Sequence, residues 1–204
     1  MSNIIYTVGH STMPVDDFIK LIKMHDIDCI VDVRSTPYSQ YAPQFNQAEI
    51  IYALKKAGVA YIYMGKELGA RRDDAILYDE DERLNFEKTV ASPLFKSGID
   101  RIMQGIKKGY TIALMCTEKD PMDCHRCILV GREINNLENC YVENILSDGS
   151  LLKQTQVEEK LLEIYHANRN QLTITELLSG KQKSEEEYLN DAYRKKAKEI
   201  AYQI

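Results

Sequence analysis

The densest run of reactive side chains is Cys116-Thr117-Glu118-Lys119-Asp120-Pro121-Met122-Asp123-Cys124-His125-Arg126. A thiolate is a nucleophile or a metal ligand, a carboxylate or imidazole moves protons, and a guanidinium holds an anion. Read as a strand end, a loop and the first turn of a helix, the run exposes unpaired backbone N–H groups. These favour an anion, phosphate first, and Arg126 strengthens that preference. The same field lowers the pKa of Cys124 if its sulfur faces the loop. Taken singly, these residues also have plain structural readings: Asp120 and Asp123 as caps, Cys116 as a small hydrophobe, Arg126 as a surface partner of Glu133.

The elements that position this run follow from hydrophobic patterning. Residues 4–8 are β-prone and stop at Gly9, and Asp16 and Asp17 open an amphipathic helix. Residues 29–33 read as a strand buried on both faces, with Asp32 inside it. A helix through Ile50 and Leu54 closes at Gly58, and residues 60–64 form a third strand. The polar stretch 66–81 is longer than the ~2–6 residues usual between strand and helix. A helix through Leu94, Ile99, Ile102 and Ile106 precedes a central strand over 110–115. A helix from about 124 to 135 leads to a fifth strand over 141–146. Beyond Leu151 the side chains become long and polar, with a break at 180–183 and a last helix from Ser184. The fold class is α/β: a mainly parallel open sheet flanked by helices on both faces, with a C-terminal helical appendage. Residues 1–150 form the α/β domain that carries the site, and 151–204 a helical extension packed on it.

In such a sheet the loops at the carboxyl ends of the strands share one edge, and ligands bind there. Four loops deliver His10, Ser11 and Thr12; Arg34, Ser35 and Ser39; Arg71 and Arg72; and Cys116 and Glu118 to that edge. The candidate catalytic residues are Glu118, Asp32, His10, His125, Cys116 and Cys124. Ser11, Arg34, Ser39, Arg71 and Arg126 are the candidate substrate contacts. A lone buried Asp32 is costly unless paired, and Arg34, two residues on, points to the same side of the strand. His25 and His166 sit in charged helical settings and are expected to be solvated. Cys29, Cys127 and Cys140, with Tyr61 and Tyr63, are expected to pack in the core.

Composition narrows the function classes. Hydrophobic residues make up 44% and charged residues 28%, so the chain can bury a core. The formal charge of -5 disfavours a nucleic-acid surface. No apolar run reaches the ~20 residues of a membrane span and no secretory leader is visible. Five cysteines in a chain this long do not read as a disulfide framework, which fits a reducing cytoplasm. Walker, dinucleotide and nucleophile-elbow motifs are missing, so no cofactor is named.

Two templates are close but do not fit. Rhodaneses and cysteine phosphatases place an arginine six residues after the nucleophile; here Cys116 is followed there by Met122, Cys124 by Val130 and Cys127 by Glu133. Cys116, Cys124 and His125, with His10 as a fourth donor, are metal-ligand types, but their spacing matches no common structural zinc motif. The first expectation is an enzyme of hydrolysis or group transfer on a small phosphorylated or nucleotide-like substrate. The alternative is a non-catalytic module that holds a ligand or a metal through the Cys116, Cys124 and His125 segment.

Thr7-Val8-Gly9-His10-Ser11-Thr12, Asp32-Val33-Arg34 with Pro37 and Ser39, and Cys116-x-Glu118 followed by Cys124-His125-Arg126 resemble domain of unknown function 488, a bacterial and archaeal family. The resemblance spans roughly residues 4–149 and implies a common site of His10, Asp32, Arg34, Cys116, Glu118, Cys124, His125 and Arg126. It implies no reaction. Members of the family often carry a histidine in the strand before the Asp-Gly turn, where this chain has Asn144.

Overall fold

The computed structural model describes residues 3–167 and 183–204. Strand β1 (Asn3–Gly9) leads to helix α1 (Val15–Lys23), which carries Asp16 and Asp17 in its first turn and Lys20 and Lys23 in its last, as the helix dipole favours. Next come β2 (Cys29–Asp32), α2 (Gln47–Lys56) and β3 (Ala60–Tyr63). Short α3 (Gly65–Leu68) and α4 (Phe86–Ala91) precede α5 (Pro93–Lys107), whose first turn is capped by the Ser92 hydroxyl. After β4 (Ile112–Cys116) comes a 3-10 turn (Pro121–Asp123), then a π-helical turn (Arg126–Gly131) running into α6 (Arg132–Asn135). Strands β5 (Cys140–Ile145) and β6 (Leu151–Lys153) and helices α7 (Gln154–His166) and α8 (Glu185–Ile200) complete the described chain.

The sheet order is β3-β2-β4-β1-β5-β6. All neighbours are parallel except β6, which runs antiparallel to β5. Alternate residues divide the core in two. Val31, Val33, Leu114, Cys116 and Val142 pack with Phe95, Ile128 and Leu161 on one face. Ile30, Ala113, Met115 and Ile145 pack with Phe18, Ile22, Ile50 and Leu54 on the other. The mainly parallel α/β architecture with a C-terminal helix is therefore present.

Strand order and the faces that the helices cover together locate the topological switch point. From β1 the chain moves through α1 and α2 toward β2 and β3 on one face. From β3 it returns through α5 to β4 on the other and continues through α6 to β5. Adjacent β1 and β4 thus send their following loops to opposite faces, the arrangement that opens a binding crevice in such sheets.

Several details differ from the sequence reading. The stretch 66–81 is not loop throughout: α3 already occupies its start and a 3-10 turn spans Ala75–Leu77. Helix α4 escaped notice because its six residues carry too little periodicity, although Asn85 caps it. The tail begins with β6, whose three residues show no alternation to read and which forms only by pairing with β5 across the Asp148-Gly149 turn. The helix expected from about 124 opens instead with tighter and wider turns. Of the break expected at 180–183, residues 180–182 lie outside the described residues.

Candidate functional site

On the α1/α2 face, Asp32 closes β2 fully buried, and Arg34 answers it with a fork. Arg34 Nε donates to Asp32 Oδ1 at 2.9 Å and Nη2 to Oδ2 at 2.6 Å, and the Arg34 backbone N–H adds a third bond at 3.1 Å. Tyr61 donates its hydroxyl to the same Oδ2 at 2.8 Å. This is the bidentate geometry that makes a buried carboxylate tolerable. The remaining arm, Nη1, lies 3.0 Å from His10 Nε2, and His10 Nδ1 lies 2.8 Å from the Ser11 carbonyl. A carbonyl only accepts and a guanidinium only donates, so the proton sits on Nδ1 and Nε2 receives Arg34. Burial first, then the Arg34 charge, push the His10 pKa down to about 4. The ring is stacked on Phe45 at 4.1 Å. Ser11 turns the chain at φ 47°, a left-handed conformation unusual for a residue with a side chain.

On the opposite face, His125 Nε2 is 3.1 Å from the Val33 carbonyl and must donate to it. Its Nδ1 then faces two sulfurs, Cys116 Sγ at 3.8 Å and Cys124 Sγ at 3.9 Å. Both thiols are buried. Burial opposes ionisation of Cys124, but the hydrogen bond from Cys116 and then the Arg126 charge hold it well below the ordinary thiol range. Cys116, donating to that sulfur, is pushed well above it. Burial first, with Asp28 beside it, drives Cys29 up to about 11, and burial first drives Cys127 up to about 12, in line with a packing role.

Arg126 is 0% exposed and is not the surface partner of Glu133 considered above; the first residue of the π-helical turn points inward. Its Nη1 donates to the Glu118 carbonyl at 2.6 Å and Nη2 to that of Lys119 at 3.3 Å, whereas Nε has no hydrogen-bond partner among the described residues. Gly9 makes this possible, because a Cβ there would overlap the Glu118 carbonyl oxygen and stand 3.0 Å from Arg126 Nη2. Glu118 itself reaches outward, its pKa raised by partial burial and then by Cys124. The two faces are tied together at the strand ends: the His10 and Ser11 N–H groups donate to the Cys116 and Thr117 carbonyls at 3.0 and 2.9 Å.

The structure thus brings His10, Ser11, Asp32, Arg34, Cys116, Glu118, Cys124, His125 and Arg126 to the carboxyl ends of β1, β2 and β4. Ser39 and Arg71 are engaged elsewhere. The Ser39 hydroxyl accepts the Tyr41 N–H at 3.1 Å, and the Arg71 guanidinium lies 4.5 Å over the Tyr202 ring. Asp120 caps the 3-10 turn by accepting from the Met122 N–H at 2.8 Å, and Asp123 accepts from Lys196. His25 and His166 are half-buried rather than solvated: His25 meets the Gly149 carbonyl at 3.0 Å and His166 pairs with Asp191 at 2.7 Å. Sequence reasoning missed Tyr61 as a partner of Asp32 and Phe45 as the platform of His10. Tyr61 lies opposite Ile30, two residues from Asp32 and so on the same face of the sheet, which was the available signal for the first.

Asn144 is a buried hub. Its Oδ1 accepts from Thr7 Oγ1 at 2.7 Å, and its Nδ2 donates to the Leu152 carbonyl at 3.1 Å and to Gln154 Oε1 at 3.3 Å. Gln154 continues the chain to Tyr193 of α8 at 3.0 Å. A separate groove of about 290 Å³ between α4 and α8, lined in part by Leu84, Phe86, Leu129 and Ala197, contains none of the candidate catalytic or substrate-contact residues.

Among the described residues no helix is long and apolar enough to cross a membrane. No curated protein and no solved structure matches the chain. A family model does match, over residues 14–132, and its span takes in Asp32, Arg34, Cys116, Glu118, Cys124, His125 and Arg126 but leaves His10 and Asn144 outside. That match covers more than half of the sequence, and the chain belongs to the family described as domain of unknown function DUF488.

Proposed function

We propose that this protein is an enzyme of hydrolysis or group transfer that takes a small phosphate-bearing, nucleotide-like substrate in the crevice between the carboxyl ends of β1 and β4. One observation carries the reading: buried titratable groups from both faces of the sheet meet at its topological switch point. His10, Arg34 and Asp32 come from one side and Cys124, His125 and Arg126 from the other. A fold does not need such a cluster for stability, since buried charges cost more than apolar side chains of similar volume.

The chemistry divides accordingly. The Arg34 charge is answered by Asp32, whereas Arg126, buried and among the described residues without a carboxylate partner and with Nε unbonded, sets a positive potential that favours an anion beside it. Glu118, at the rim with a raised pKa, is the group to move a proton to or from a bound substrate. Calorimetry with inorganic phosphate, nucleoside mono- and diphosphates and sugar phosphates tests this. At least one is expected to bind saturably, at least tenfold more weakly in Arg126→Lys and with unchanged affinity in Arg71→Ala. No binding across the panel, or equal binding by Arg126→Lys that is folded, contradicts it.

A further inference from the structure

We infer that Cys116, Cys124 and His125 form a three-ligand site for a divalent metal ion of the zinc type, with a fourth position left for water or substrate. The inference rests on the reading above only in sharing its crevice; the donors are its own. Among the described residues these three alone form a cluster of metal-ligating types, and their donor atoms lie within 4.8 Å of one another. Zinc bonds of ~2.3 Å to sulfur and ~2.0 Å to nitrogen, at tetrahedral angles, put sulfur and nitrogen about 3.6 Å apart. The two sulfur-to-Nδ1 distances, 3.8 and 3.9 Å, need to close by only a few tenths.

Three further features fit a metal better than a packing accident. The His125 Nε2–H···O=C bond to Val33 fixes the ring and directs the Nδ1 lone pair at the sulfurs, as the outer hydrogen bond of a ligating histidine does. Two sulfurs and one imidazole are the soft and borderline donors that select zinc over magnesium or calcium. The set also stops at three. His10, the fourth donor considered from sequence, has Nδ1 committed to Ser11 and Nε2 to Arg34, so it cannot ligate without breaking the Asp32 network. A three-residue set with an open position is the catalytic rather than the structural form of a zinc site, and Glu118, two residues from Cys116, is exposed and near enough to Cys124 to feel its charge. Both sulfurs bind as thiolates, and any thiol hydrogen displaced on loading leaves to solvent.

The test uses cobalt(II) as the probe on the reduced, full-length chain. The expected result is one cobalt per chain with a sulfur-to-cobalt charge-transfer band and tetrahedral d–d bands. Those bands should disappear in Cys116→Ser and Cys124→Ser and persist in Cys140→Ala. Should the serine variants not fold, X-ray absorption of the zinc-loaded parent counts two sulfurs directly, and a count of none or one overturns the inference. So does folded parent protein that takes up less than about a tenth of an equivalent of cobalt, or bands that survive both serine substitutions. Repeating the phosphate-ligand calorimetry with and without metal separates the two readings. Ligand binding without metal uptake removes only the metal, whereas metal uptake with no ligand bound removes only the proposed substrate class.

Discussion

His125 donates its Nε2 hydrogen to the Val33 carbonyl across 3.1 Å, and this bond sets the role of the other ring nitrogen. Val33 follows β2 and His125 lies beyond β4, so a contact between neighbouring strand ends aims an unprotonated Nδ1 at Cys116 and Cys124. Arg34, next to Val33, turns to the other face and grips Asp32 and His10. Two consecutive residues thus anchor both halves of the site.

His10 makes stability depend on pH. Its pKa is lowered from 6.5 to about 4 in the folded state, so below pH 6.5 the unfolded chain takes up a proton that the folded chain refuses. Stability is expected to fall as pH drops from 6.5 to 4, by about 3 kcal/mol from this residue, and to be indifferent to it above 6.5. Denaturant unfolding at a series of pH values checks this; His10→Gln should lose that part of the slope.

Asp32 and Tyr61 should differ sharply on substitution. Asp32→Asn leaves a buried guanidinium without its counter-charge and is expected to cost about 3–5 kcal/mol. Tyr61→Phe removes one of several bonds to the carboxylate and should cost about 1 kcal/mol. Urea midpoints of the two variants give the comparison, and equal losses would contradict the pairing.

Gly9 tests the loop that carries Glu118. In Gly9→Ala the new methyl must push the Glu118 carbonyl away and with it one of the Arg126 anchors. A loss of about 1–3 kcal/mol is expected, together with weaker ligand binding. A variant as stable and as tight-binding as the parent would show that the close approach does not matter.

Asn144→His puts back the residue that the family resemblance implies. Because Asn144 serves Thr7, Leu152 and Gln154 at once, a histidine there strands at least one buried partner, and a loss of about 1–3 kcal/mol is expected. The cobalt spectrum should be unchanged, since Asn144 is not one of the three clustered donors.

The legible parts of this protein were those with a local signature. Residues 29–33 and 110–115 announce buried parallel strands by their apolar runs, and the shared edge of a parallel sheet then puts His10, Arg34 and Cys116 together without knowledge of any contact. The pairing of Asp32 with Arg34 was legible because residues two apart in a strand share a face. What stayed hidden depends on tertiary packing. Tyr61 reaches Asp32 only once β3 pairs with β2, and Phe45 meets His10 from a 3-10 turn with no periodicity of its own. In sequence Arg126 reads either as an anion contact or as a surface partner of Glu133, and nothing there shows that it is buried. Its burial follows from a π-helical turn that shifts the side-chain phase and from the missing Cβ at Gly9, neither of which composition reveals.

The most direct test of a substrate crevice between β1 and β4 is an amide NMR titration with whichever phosphate-bearing ligand binds in calorimetry. Saturable shifts centred on His10, Ser11, Arg34, Glu118 and Arg126 are the expected result. Saturable shifts confined to the groove between α4 and α8, or none at the strand ends, would contradict the account.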